Sequence, residues 1–427
     1  MNNFRFFCRI AWLIPVLYFF ASFPAGAYSV LTHQAIIDGA WKPGMVPLLQ
    51  KKFPEITDEQ LLQARAYAYG GAIIQDMGYY PMGSRFFTDL THYVRSGDFV
   101  NNLISEAKNA NEYAFAMGAL AHYYADIVGH ASGTNLSVPL IYPDLSKEHG
   151  SVITYEEDHK SHTRTEFAFD VVQAARQEYV PEGYRDFIGF KIAREQLDRA
   201  FQKTYGLSLK QIYIYLPLAE WAFRVSVKAV IPQFTKMAWF RERNHIETPE
   251  KQGVKSAVTY EELLEDAPAS LRKEFKKTEK PGFSSKVMSM VMRVVPKVGP
   301  LSTLNFELPV PEAETLFIKS VNESVMKFEA GLFALQNQDF LDLPAYDMDT
   351  GSPTSYSEYP LSDESHEKLL EKQHKQDFEH TSGVLQNYLL AYFETLPAQP
   401  QTAKEKKAHL KTQKYLQDLK KNQLAGP

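Results

Sequence analysis

Cysteine is almost missing from this sequence: Cys8 is the only one among 427 residues. That excludes a disulfide framework and any zinc or iron site built on several thiolates. An excess of positive charge is missing too. The 46 Lys and Arg stand against 51 Asp and Glu, which argues against general nucleic-acid binding. Strand-like alternation is confined to brief runs such as 304–310. There is no internal repeat, no phosphate-cradling glycine loop, and no Ser-His-Asp pattern that would point to a covalent route. Beyond the first residues no apolar run approaches the length of a membrane span.

Residues 1–27 read as a secretory signal peptide. Arg5 and Arg9 supply a positive start, Ala11 to Phe20 an apolar run, and Ala25-Gly26-Ala27 the small-x-small cleavage pattern. An uncleaved membrane anchor is the alternative, opposed by the shortness of the run and by Pro15 inside it. Cleavage would make Tyr28 the first residue and remove Cys8. The balance would then be 44 basic against 51 acidic residues. An exported chain without cystines is ordinary for a bacterial periplasm or bacterial secretion. Metal could then take over the stapling role of disulfides.

Apolar periodicity predicts helices over 58–75, 110–131, 162–177, 211–230, 312–335 and 365–394. The class is mostly α. A boundary is expected near residue 245, which separates a 28–245 domain from a mainly helical 246–427 region of unknown role. Segment 339–361 reads as a long loop. Segment 404–421 carries seven lysines against two acids, as a solvated terminal helix or a basic tail for anionic membranes would. Segment 286–297 mixes methionine, valine and cations, which suits either a lipid contact or a core helix with basic ends.

The chemistry is concentrated before residue 170. His122, Asp126 and His130 stand at successive i, i+4 positions, so one helical face would carry all three. His162 and Glu166 repeat the spacing, and His33, Asp76 and His92 precede them. Seven of the twelve histidines lie from His33 to His162. His149 and His159 compete for His162, and Asp158 for Glu166, but of these histidines His162 alone stands four residues before a carboxylate. Imidazole and carboxylate without thiolate suit zinc in a hydrolytic site.

In residue type, order and spacing, Tyr28 to Glu166 resembles the zinc-dependent phospholipase C family, which shares a trinuclear helical fold with the single-strand-specific nucleases. The resemblance implies a multi-helix catalytic domain, and the apolar periodicity after it adds a helical C-terminal extension. It also implies up to three zinc ions. One set would be Asp76, His92, His122 and Asp126; a second, His130, His162 and Glu166. The third would be Tyr28, through its α-amino and carbonyl groups, with His33 and Asp126. Three residues separate Asp126 from His130 where the smaller phospholipases and the nucleases have five, and the glycosylphosphatidylinositol-specific phospholipase D branch shares the shorter spacing. Tyr28 stands where Trp is usual. Glu166 follows the phospholipases, since the nucleases generally carry Asp there.

The implied function is an exported metallophospholipase C that attacks the glycerol-side phosphodiester of phosphatidylcholine-type lipids at a membrane surface, with Asp76 as general base or water-orienting group. Tyr79, Tyr80, Phe86 and Phe87 are expected near the site mouth, where aromatic faces would hold a quaternary ammonium, stack a nucleobase or simply pack as core. The alternatives are a nuclease or phospholipase D-like enzyme on the same scaffold, or a non-catalytic, zinc-stapled protein that associates with membranes.

Overall fold

A computed structural model describes residues 30–242, 244–246, 303–337, 340–395 and 403–425. The expectations for residues 1–27, for Tyr28 and for 286–297 lie outside these. Regular structure in the described residues is almost entirely helical. The site-bearing helices are α1 (Val30–Ala40), α2 (Asp58–Gly71), α3 (Arg85–Tyr93), α4 (Ala110–Gly129) and α5 (His159–Ala175). Later come α6 (Leu216–Val225), α7 (Pro311–Leu335), α8 (Pro360–His374), α9 (Gly383–Tyr392) and α10 (Ala403–Ala425). No described helix is long and apolar enough to cross a membrane.

Local chemistry sets the helix starts. Thr57 and Gln60 form a capping box at α2: the Gln60 amide donates to Thr57 Oγ1 at 3.3 Å and the Thr57 amide to Gln60 Oε1 at 2.9 Å. Asn109 and Asp158 cap α4 and α5 by accepting the amides of Glu112 and Ser161. The expected 58–75 helix ends at Gly71, and a 3₁₀ helix, Ile74–Tyr79, carries Asp76.

The expected 365–394 helix is two helices. Asp377 and Phe378 both take positive φ, which a helix cannot accommodate, and Ser382 then caps α9. The 211–230 segment likewise divides: extended residues 213 and 215 separate a short turn, Leu209–Ile212, from α6, which has a proline in its first turn. Segment 304–310 is not a strand. Leu304 and Phe306 are buried against Phe167 of α5 instead.

Glycine lets the central pair approach. A Cβ on Gly118 of α4 would sit 2.2 Å from the Ala68 carbonyl oxygen of α2, so the two backbones touch where side chains usually keep helices apart. One buried apolar cluster runs from Ile37 of α1 through Phe115 and Leu120 of α4 to Phe328 of α7, and on to Leu369, Leu389 and Leu419 of the last three helices. The lysine-rich terminal segment is thus a docked helix: Leu419 is buried, and Lys411 pairs with Glu371 of α8 at 2.8 Å. The 339–361 loop contains one antiparallel pair, β1 (Tyr346–Asp347) with β2 (Ser352–Pro353).

Candidate metal centre

An α-helix turns 100° per residue, so Asp126 lies about 40° and His130 about 80° round the helix from His122. That rotation divides the three side chains between two sets of partners. His122 and Asp126 face His33 of α1, the Asp76 turn and His92 of α3, while His130 faces His162 and Glu166 of α5. His130 also opens a π-helical turn, His130–Thr134, a feature that recurs at functional sites. All eight side chains are buried.

Their separations fit a metal. Donors around a tetrahedral zinc with bonds of 2.0–2.2 Å lie about 3.3–3.6 Å apart. His92 Nε2 is 3.3 Å from Asp76 Oδ1, 3.4 Å from Asp126 Oδ2 and 3.5 Å from His122 Nε2. His122 Nε2 and Asp126 Oδ2 are 3.1 Å apart. Glu166 Oε1 is 3.3 Å from His162 Nδ1 and 3.4 Å from His130 Nε2. The other Asp126 oxygen, Oδ1, lies 3.5 Å from His33 Nε2, so this carboxylate faces two imidazole groups at once. His122 stands within reach of both the His33–Asp126 group and the Asp76–His92 group; its 3.1 Å approach to Asp126 Oδ2 places it with the latter.

Hydrogen bonding orients the rings. His92 Nδ1 donates to the Thr88 carbonyl at 2.9 Å and His122 Nδ1 to the Ala72 carbonyl at 3.0 Å, which leaves each Nε2 lone pair facing the carboxylates. The Ala72 carbonyl is in reach because α2 and α4 approach so closely. His162 Nε2 donates to Asn135 Oδ1 at 3.0 Å, and its Nδ1 faces Glu166. Asp126, Glu166 and Asp76 Oδ1 accept no hydrogen bond from the described residues. A buried carboxylate in that condition costs several kcal/mol unless a cation compensates it.

The charges agree. Burial would raise Asp126, but His122, His92 and His33 outweigh it and hold the carboxyl well below its usual range. Burial, with neighbouring His122, lowers His33 to about 4; burial, with His130, lowers His162 to about 3. Both therefore stay neutral, as metal ligands must. Burial would also lower His92, yet Asp126 and Asp76 lift it to about 10. Burial raises Glu166 to about 7. The carboxylates thus demand positive charge between them, which protons or a metal ion supply.

Three supports were not legible in the sequence. Asp170 of α5 accepts the amides of Leu31 and Thr32 at 2.9 and 3.1 Å and the Thr32 hydroxyl at 2.7 Å, anchoring the start of α1 beside His33. Asn135 orients His162. Asp349, from the loop that follows α7, places Oδ1 3.3 Å from His130 Nδ1. Only the i+8 spacing of Asp170 from His162 hinted at any of them. The competitors fall away: His159 is exposed, His149 faces Glu148, and Asp158 is the α5 cap.

The four aromatics divide. The Tyr79 ring centroid is 6.2 Å from that of His92 and 6.1 Å from that of Tyr155, which in turn is 5.8 Å from His162. Tyr79 therefore borders the centre. Phe87 is core, fully buried against Phe201 and Tyr213, and Tyr80 packs on Phe223. Phe86 lies under the Lys372 ammonium. The Arg85 guanidinium sits 5.9 Å from the Tyr79 ring centroid and 5.8 Å from that of Tyr155.

Residues 32–215 match the family model for zinc dependent phospholipase C. No curated protein and no solved structure matches the chain. The matched segment contains every described donor of the three buried groups, which together have places for up to three zinc ions.

Proposed function

We propose that the protein is an exported phospholipase C that uses zinc to hydrolyse the glycerol-side phosphodiester of phosphatidylcholine-type lipids, releasing diacylglycerol and the phosphorylated headgroup. The observation that carries this reading is Asp126. It is wholly buried, accepts no hydrogen bond from the described residues, and turns its two oxygens to separate imidazole sets. A zinc that only staples a fold needs one closed set of donors, not adjoining sets that share a carboxylate. Zinc held there polarises phosphoryl oxygens and acidifies water. Asp76 turns Oδ1 toward His92 Nε2 at 3.3 Å, and its carboxylate would orient the attacking water and take its proton. Tyr79 and Tyr155 cover the buried donors beside His92 and His162 and keep bulk water off them.

A lipid surface is supported outside the centre. Ile214 is 98% exposed and Tyr215 61%, with exposed Lys210, Arg224 and Lys228 close by in sequence. Apolar tips among cations suit an anionic interface. The segment packs inward on the catalytic layer, Tyr213 against Phe87 and Phe223 against Tyr80. Replacing Ile214 by Asp and Tyr215 by Ser is expected to cut turnover on vesicles about tenfold, the loss of roughly one buried side chain. Turnover of a water-soluble short-chain substrate should not change; an equal loss on both would refute the interfacial role.

Arg85 favours a second reading of the headgroup. Its guanidinium already occupies the Tyr79–Tyr155 faces that would hold an ammonium, and a guanidinium there recognises phosphate. The test is hydrolysis by protein beginning at Tyr28, with chelator and with zinc restored. Vesicles of phosphatidylcholine, vesicles of phosphatidylglycerol and single-stranded DNA are the substrates. Zinc-restored phosphocholine release supports the first reading, and preference for phosphatidylglycerol supports the second. Mononucleotides would place the chain with the nucleases. Bound zinc without turnover on any of the three would favour another headgroup or the stapling role.

A further inference from the structure

The loop carrying Asp349 lies more than a hundred residues beyond the family match, yet it touches the surroundings of three of the imidazoles. The Met348 amide donates to the His92 carbonyl at 3.2 Å. Asn135, which orients His162, donates through Nδ2 to the Asp349 carbonyl at 2.7 Å. The Asp349 carboxylate faces His130 Nδ1, while His130 Nε2 faces Glu166.

The carboxylate is itself held in place. Tyr93 and Tyr359 hydroxyls both donate to Oδ2, at 2.8 and 2.7 Å. Asp347 Oδ1 accepts the amides of Asp349 and Thr350 at 2.9 and 3.0 Å, which fixes the turn. Gly351 closes that turn at φ +67°, where a Cβ would sit 2.3 Å from the Ile127 carbonyl of α4. The loop is therefore pressed on α4 between Asp126 and His130. Asp349 is 3% exposed, and the oxygen facing His130 is separate from the one the tyrosines use.

We propose that Asp349 is a positioning residue for the His130–His162–Glu166 metal group, holding His130 with Nε2 toward the ion. A carboxylate behind a ligating imidazole fixes its tautomer and orientation and raises its basicity. The consequence is that the region after α7 completes the centre instead of merely covering it, and that one of the three ions depends on that region. This inference rests on the metal-holding reading of His130, His162 and Glu166.

The experiment measures zinc per chain and zinc affinity by chelator competition, with the visible spectrum of the cobalt-loaded protein and circular dichroism alongside. Wild type is compared with Asp349→Ala, Asp349→Asn, Tyr359→Phe and Glu166→Gln. Asp349→Ala is expected to weaken retention of one ion by about 10–100-fold and leave the others unchanged. Asp349→Asn, which keeps an oxygen toward His130, should recover most of that loss. Tyr359→Phe should shift the same ion by a smaller factor, so the proposal remains testable if the alanine variant does not fold.

Unchanged zinc affinity in every folded Asp349 and Tyr359 variant would overturn the inference. So would an Asp349→Asn no better than alanine, or a cobalt spectrum showing that Asp349 is itself a ligand. If wild type retains no zinc that Glu166→Gln removes, the metal-holding reading has failed, not the role of Asp349 alone.

Discussion

Replacing Asp126 with asparagine is expected to lower zinc-dependent phosphodiester turnover by on the order of 10³-fold or more, the scale on which positioned electrostatic groups act. It should also remove more zinc than loss of any single imidazole. The geometry gives the reason. One Asp126 oxygen lies 3.5 Å from His33 Nε2, and the other lies 3.1 and 3.4 Å from His122 and His92. Asparagine keeps the size but offers one neutral acceptor, so it can serve only one side and offsets no positive charge. The expected signature is loss of both activity and the zinc held by the groups that share this carboxylate, in a folded protein. Zinc content and kcat measured on the same preparation check it. Full zinc content with unaltered turnover would remove Asp126 from the reaction.

Asp170→Ala is expected to cost roughly 3–5 kcal/mol of stability, comparable to breaking a buried ion pair, because it leaves several buried donors without an acceptor. The donors are the amides of Leu31 and Thr32 and the Thr32 hydroxyl, the last also 2.8 Å from the Tyr179 hydroxyl. They form the first turn of α1, and His33 follows directly. The stability loss should therefore come with weaker retention of the ion nearest His33, while the His130–His162–Glu166 group keeps its own. Denaturant unfolding and zinc competition read the two effects separately. A loss below 1 kcal/mol would show that α1 is anchored by its apolar face alone, through residues such as Ile36 and Ile37.

Both predictions concern groups whose visibility in the sequence differed. Asp126 announced itself because a helix places i and i+4 side by side wherever it lies, so spacing alone sets neighbours. The same rule found His162 with Glu166. Helix ends were less legible. The 365–394 segment looked continuous, and the positive φ at Asp377 and Phe378 that divides it depends on how the turn packs. Tyr80 and Phe87 share composition and neighbourhood with Tyr79, yet they turn into the core while Tyr79 borders His92. Composition cannot state which way a ring faces.

The sequence by itself determined the helical class and the scarcity of thiolate and excess positive charge. It also determined the identity and order of the buried imidazoles and carboxylates, because residue type and helical period are properties of the chain over one or two turns. Only the tertiary structure decided that Asp170 caps α1 from 138 residues away, that Asn135 orients His162, and that Asp349 reaches back behind His130. Those contacts depend on how α1, α4, α5 and the loop after α7 pack. Packing is fixed by apolar burial and close backbone approach summed over the whole molecule, and no local spacing records it.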